Sequence, residues 1–432
     1  MTHTTAFPRD FVWGATLCAH KVEGADFASD WWNWEQRPGR IAGGATSETA
    51  AGHYDRWRED AALAAKLGLN ALLVGPSWAR IQPAAGEFDT HALDHYEAFF
   101  RALQEHGVAP VCALWAVGAP AWFTRGGGWR RPEAPGLFAA YADRVARRLG
   151  PWCRHWIPLF EPERWLSAAC LEGRWPGGRG LAAYFQASKH LVRAHAGAAC
   201  AVRAVQPEAR VGAAVRGVCC RPENRYSSWD LRGARHEMAR FHHRFLAKIT
   251  AAKNSGAAPD FIGVGYYGRG RVRFAPLHMR RLCVCWVDAA GTVRPAAHTE
   301  PYAAGLGPVL DDFTRYHLPL YVTGNGLPTE DDTARRHYLL DHVDRLHDAI
   351  ARGVPVAGYF HRALLDGFEW ARGFGPRYGL VHVDRRTFAR TPNESAFLLK
   401  EICRAGGVRP GALKRFAPGW RPPAPGRGEA EP

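Results

Sequence analysis

Short apolar runs alternate along this chain with longer stretches whose apolar residues recur every three or four positions. Phe11-Val12-Trp13-Gly14-Ala15 predicts a first strand, followed by a long irregular segment. A helix is predicted over 54–67, stopped near Gly68, and Ala71-Leu72-Leu73-Val74 is a buried strand. Leu93, Tyr96, Phe99, Phe100 and Leu103 mark one face of a helix ending at Gly107, and Pro110-Val111-Cys112-Ala113-Leu114-Trp115 forms the third strand. Further strands are predicted over 155–160, 211–214, 261–265, 320–323 and 358–361. Eight strands separated by helix-length segments imply an α/β protein, a closed (β/α)8 TIM barrel. A doubly wound open sheet is the runner-up, but no Gly-rich dinucleotide fingerprint follows the first strand.

In such a barrel the chemistry sits at the carboxyl ends of the strands. The fourth strand ends Trp156-Ile157-Pro158-Leu159-Phe160-Glu161-Pro162, which places a carboxylate there. The seventh ends Leu320-Tyr321-Val322-Thr323-Gly324-Asn325-Gly326-Leu327, which places none.

Composition narrows the partners. With 432 residues and 47% hydrophobic content the chain can bury a large core, here taken as one domain over 1–416. Residues 417–432, rich in Pro, Gly and charge, are expected to be a disordered tail. The formal charge of +15 comes mostly from Arg scattered along the chain, so nucleic acid is not expected as a partner. No apolar run approaches the roughly 18 residues of a membrane span, and no secretory pattern opens the chain. Ten Cys without a paired framework fit a reducing cytoplasm. No metal is expected. Cys283-Val284-Cys285 and Cys219-Cys220 have the wrong spacing for zinc, and adjacent helical residues such as His242-His243 point in different directions.

Several motifs occur in a telling order: Phe7-Pro8-Arg9-Asp10-Phe11-Val12-Trp13-Gly14, Val22-Glu23-Gly24, Lys66-Leu67-Gly68-Leu69-Asn70-Ala71, and Ser77-Trp78-Ala79-Arg80-Ile81. Asp260-Phe261-Ile262-Gly263, Leu364-Leu365-Asp366 with Phe368-Glu369-Trp370, and Arg377-Tyr378-Gly379-Leu380-Val381 follow. By these motifs nearly the whole chain resembles glycoside hydrolase family 1, the retaining β-glucosidases and their relatives. The resemblance implies a cofactor-free site in which two carboxylates flank a glycosidic bond. Glu161 falls at the family's acid/base position, and Gly324 at its nucleophile position. Glycine has no side chain to attack an anomeric carbon, so a covalent intermediate cannot form there.

Other departures fall in the same implied pocket. Where the family has Asn before its acid/base residue, this chain has Phe160; where it has Gln before Ile-Glu-Gly, Lys21. Its His-Trp-Asp is Ala116-Val117-Gly118, its Arg near the nucleophile is Leu73, and its Asn after the sixth strand is Gly265. Its Trp after the eighth strand is Arg362, and its Asn before Phe-Glu-Trp is Gly367. Tyr267, Glu369 and Trp370 are kept. Loss of Arg together with Glu avoids an uncompensated buried charge, so the pattern suggests a remodelled pocket.

The candidates each carry two readings. Glu161 is either a general acid or base, its pKa raised by Phe160 and apolar walls, or a leftover that hydrogen-bonds within the barrel. Glu369 and Trp370 either hold a sugar or pack the rim. Lys21 and Arg362 either bind an anionic sugar or, as the simpler option, pair with Glu161 and Glu369. His20 is either a proton carrier or a satisfied structural residue. Three functions compete: a pseudoglycosidase binding a glycoside or a protein partner, an enzyme with altered chemistry built on Glu161, and an ordinary β-glucosidase. The first is expected.

Overall fold

The computed structural model describes residues 4–251 and 256–422. Eight parallel strands close on themselves: β1 (Val12–Cys18), β2 (Ala71–Gly75), β3 (Ala109–Trp115), β4 (His155–Leu159), β5 (Arg210–Pro222), β6 (Phe261–Phe274), β9 (Leu320–Asn325) and β10 (Val356–His361). The order β5-β4-β3-β2-β1-β10-β9-β6, completed by pairing of β5 with β6, makes the barrel. The expected (β/α)8 architecture is therefore present.

Period-two alternation along β2 explains why its residues are apolar on both faces. Ala71 and Leu73 point into the barrel, where they pack with Val111, Ala113, Ile157, Ala214, Phe261 and Phe360. Leu72 and Val74 join the larger core between strands and surrounding helices. The helix Thr90–Glu105 shows the matching helical logic. Asp89 caps it by accepting from the Ala92 amide at 3.0 Å, and Leu93, Tyr96, Phe99, Phe100 and Leu103 form its buried face. Gly107, at φ 74°, turns the chain back toward β3.

Two expectations are corrected. β5 and β6 do not stop at Ala214 and Gly265 but run on beside each other as far as Pro222 and Val272. β7 (Val284–Val287) then pairs antiparallel with β6, and β8 (Val293–Arg294) with β7. Val218, Phe241, Val272, Val284 and Trp286 form a satellite core beneath this extension, and Ala296 and Ala297 pack on it. It thereby carries the segment 295–301 to the mouth of the barrel. The expectation of disorder from residue 417 onward also fails over 417–422. Ala417 and Trp420 are buried, and Trp420 donates its indole N–H to Asp341 at 2.7 Å. Residues 423–432 lie outside the described residues. The remaining strands, β11 (Val381–Val383) and β12 (Arg390–Pro392), form a separate antiparallel pair.

Candidate active site

The end of β4 is stitched between its neighbours. Phe160 donates its amide to Trp115 on β3, and Glu161 donates its amide to Ala214 on β5, at 2.9 and 3.0 Å. Glu161 then turns into the left-handed region at φ 49°, a conformation costly for a side chain larger than glycine. Its carboxylate is 1% exposed, and neither oxygen accepts a hydrogen bond among the described residues. The expected apolar walls are absent. Arg164 and Arg216 guanidinium groups stand 3.6 and 3.7 Å from Oε2, while Phe160 packs against the cluster inside the barrel. The carboxylate occupies the place of a β6 side chain, since a Cβ on Gly265 would collide with Glu161 Oε1.

Gly324, at the end of β9, faces a filled space. A Cβ there would meet the Tyr267 hydroxyl at 2.5 Å. That hydroxyl accepts from Arg362 Nη1 at 3.2 Å. Next to it, Asn325 donates to the Tyr266 carbonyl (2.8 Å) and the Tyr338 hydroxyl (3.0 Å), and accepts from the Tyr359 hydroxyl (3.0 Å). Leu73 belongs to the apolar layer inside the barrel.

Lys21 and Arg362 both pair with Glu369 and not with Glu161. Lys21 Nζ lies 3.0–3.1 Å from both carboxylate oxygens, and Arg362 Nη2 2.5 Å from Oε2. Burial alone would raise the Glu369 carboxyl, but these two cations outweigh it and hold it below the usual carboxylate range. Burial and the adjacent Arg362 charge pull Lys21 down to about 8. His20 lies behind the pocket wall, stacked on Trp370 with ring centroids 5.3 Å apart. Burial opposes its charge, yet Asp26 and Glu35, 3.7–3.9 Å away, raise it to about 9. The geometry is that of a structural cation.

These side chains border a cavity of about 370 Å3. Tyr267, Arg362, Glu369 and Trp370 line it, with Trp175, Tyr378 and residues 295–299. Gly324, Phe160, His20 and Lys21 do not, and Glu161 lies just beneath. Five arginines reach the cavity wall: Arg164, Arg174, Arg216, Arg362 and Arg372. Among the described residues, Glu369 is the only carboxylate residue in that lining.

The family model for glycosyl hydrolase family 1 matches residues 3–273 and 293–408. The chain belongs to glycosyl hydrolase family 1. The internal unmatched interval, 274–292, contains β7, whereas the rim residues 295–301 fall within the matched part. A Thermotoga maritima β-glucosidase A is 28% identical, aligning 93% of this chain with 98% of that protein. A thermostable β-glucosidase B of Thermobispora bispora is 31% identical over 94% and 92% of the two chains. Among solved structures, the T. maritima family 1 β-glucosidase superposes with a TM-score of 0.86 at 28% identity, covering 94% of this chain and all of that one. A Pyrococcus horikoshii β-glycosidase gives 0.86 at 29% identity, covering 96% and 98%.

Within this family 1 barrel the sequence reasoning singled out Arg362 but missed Arg164 and Arg216. Arg164 lies one helical turn after Glu161, Arg216 on the extended part of β5, and Arg362 directly after β10. Each sits at or beyond a carboxyl end of a strand, which was the available signal. Glu163 was also missed. It is buried with neither oxygen hydrogen-bonded, and burial, reinforced by the Glu161 charge, pushes its carboxyl well up.

One metal argument is corrected as well. The helix Ser228–His242 ends between the two histidines, so their rings do not diverge. His242 Nδ1 and His243 Nε2 both lie 2.8 Å from Asp312 Oδ2, a grouping able to hold a metal ion. As they stand, the rings are otherwise bonded to Val218 and the Tyr316 hydroxyl. Among the described residues no helix is long and apolar enough to cross a membrane.

Proposed function

We propose that this family 1 protein binds a glycoside in its barrel-mouth cavity without forming a glycosyl-enzyme. One observation carries the proposal: at Gly324, which the motif resemblance puts at the nucleophile position, the Tyr267 hydroxyl stands where a side chain would project. No carboxylate is available there for the first displacement of a retaining mechanism. Glu369 is a poor substitute, because two cations engage it and depress its basicity.

The cavity's size falls within the range of about 300–1,000 Å3 typical of small-molecule sites, which favours a ligand over a purely structural role. Glu369 and Trp370 offer it hydrogen bonding and an aromatic face. The T. maritima β-glucosidase has been solved with glucoimidazole and with deoxynojirimycin, and that likeness supports a sugar-shaped occupant here. A cytoplasmic location is part of the proposal and rests on cysteine usage.

The test pairs turnover with binding. An aryl β-glucoside should release no aglycone above background, while a neutral alkyl β-glucoside should raise the melting temperature with concentration. Turnover at an ordinary glycosidase rate would overturn the proposal.

A second reading, an enzyme of altered chemistry, is favoured by Glu161 itself. A buried carboxylate with two unbonded oxygens on a left-handed backbone is the kind of unsatisfied group found at reactive sites. An α-glucosyl fluoride offers the anomeric configuration that a covalent intermediate would have had, with its own leaving group. Transfer to an added acceptor, abolished in Glu161→Gln, would establish this second function.

A further inference from the structure

The arginines around the cavity are not equally engaged. Arg174 is paired with Glu172 at 2.6 Å, Arg362 with Glu369, and Arg372 donates to the Tyr378 hydroxyl at 3.1 Å. Arg164 and Arg216 share one carboxylate, Glu161, at ion-pair distances too long for hydrogen bonds. Arg216 is 6% exposed, and among the described residues its Nε has no hydrogen-bond partner while the bond it makes to the Ala297 carbonyl is stretched to 3.5 Å. A buried guanidinium left this way is costly, because its donors have lost water without gaining acceptors.

Their orientation is nonetheless well held. Arg216 lies over the Tyr267 ring at 4.0 Å and Arg164 over Trp175 at 4.9 Å. A guanidinium lying over an aromatic ring can keep its N–H edges available to grip carboxylate and phosphate oxygens in pairs. Burial and the nearby Arg362 and Arg216 charges bring Arg164 down to about 10 even with Glu161 beside it. Positive charge is crowded on this side of the cavity. Both side chains belong to the β4–β5 wall, whereas Lys21 and Arg362 follow β1 and β10.

We propose that the cavity takes an anionic ligand, a glycoside bearing a carboxylate or phosphate group, and that Arg164 and Arg216 hold that group. The proposal deepens the glycoside-binding function above and rests on it. The anion supplies the acceptors that Glu161 leaves unprovided and relieves repulsion between the two guanidinium groups. Arg216 is already aligned by Tyr267, so little side-chain order remains to be imposed on binding.

Calorimetric titration of the full chain at constant ionic strength tests this with four probes: methyl β-glucoside, methyl β-glucuronide, glucose 6-phosphate and inorganic phosphate. At least one charged sugar should bind about tenfold or more tightly than the neutral glucoside. The glucuronide and the sugar phosphate distinguish the two sources of charge. Arg216→Gln should bring the charged sugar to the neutral level, and Arg164→Gln, at a less buried position, should do the same should Arg216→Gln fold poorly. Glu161→Gln should tighten the charged sugar, since it keeps the shape and removes a competing carboxylate; weakening would refute the placement between the two arginines. Equal affinity for charged and neutral sugars would overturn the anion site while leaving glycoside binding intact. Inorganic phosphate binding as tightly as the sugar phosphate would keep the anion site and overturn the glycoside. Failure of all four to bind at millimolar concentration would overturn both.

Discussion

By the motif resemblance the carboxyl ends of β4 and β9 fall at the acid/base and nucleophile positions of a retaining glycoside hydrolase, and the two ends differ in structure here. At β9 stands Gly324, and the space a side chain there would take is closed by Tyr267, Arg362 and a set of hydrogen bonds around Asn325. At β4 the carboxylate remains, buried, strained at its backbone and without a hydrogen bond. One end has been finished as structure and the other left with unmet bonding capacity. A decayed enzyme would be expected to lose order at both. The contrast instead points to a pocket rebuilt on one side and kept open to a ligand on the other.

Removing charges should expose the difference most strongly. Glu369→Gln on the closed side leaves Lys21 and Arg362 buried without a counter-ion, and should cost about 3–5 kcal/mol in urea unfolding. A loss near zero would show that the closed side is not held by its ion pairs. His20, behind Trp370, gives the next largest effect. Its pKa is raised from 6.5 to about 9, so its stabilising contribution is complete below pH 6.5 and disappears as pH rises through 9. The stability difference between wild type and His20→Gln should therefore be about 3 kcal/mol at its largest and shrink across that interval. A difference that grows with pH would contradict the assignment of His20 as a buried cation.

Gly324→Glu should be destabilising by about 1–3 kcal/mol, because its Cβ meets the Tyr267 hydroxyl, and should restore no aryl β-glucoside hydrolysis. Recovery of ordinary activity would mean that the rest of the family's site survives. Glu161→Gln should have the smallest effect on folding, about 1 kcal/mol or less, because loss of attraction to Arg164 and Arg216 is offset by relief of burying an unbonded charge. A large loss there would make the two strand ends alike.

The barrel was legible because its strands and helices announce themselves locally: Ala71-Leu72-Leu73-Val74 is apolar on both faces, and Leu93 to Leu103 repeats with helical spacing. Glu161 and Gly324 drew notice for a related reason, since each stands in a motif at a strand end, where the structure also places them. What fills the space opposite Gly324 was not, because Tyr267 reaches it from another strand and no local pattern encodes that approach. Arg362 was singled out from its motif, but Arg164 and Arg216, which gather beside it, were passed over as scattered charge. Arg164, Arg216 and Arg362 are far apart in the chain, and only closure of the barrel gathers their strand ends at one rim. Extension of β5 and β6 escaped notice because Gly217 and Gly268 interrupt the apolar alternation while the backbone pairing continues past them. Trp420 was assigned to a disordered tail on composition, yet its indole finds both a buried site and Asp341.

Gly324 offers no nucleophile, so glycoside cleavage through a covalent intermediate would need another side chain of the barrel mouth to attack the anomeric carbon. A 2-deoxy-2-fluoro-β-glucoside with a good leaving group makes the second displacement slow, so a retaining enzyme accumulates as its glycosyl adduct. Intact-protein mass spectrometry after prolonged exposure should show the unmodified mass, with Glu161 present and Gly324 unable to react. A stoichiometric glycosyl adduct on any side chain of the barrel mouth would contradict the account.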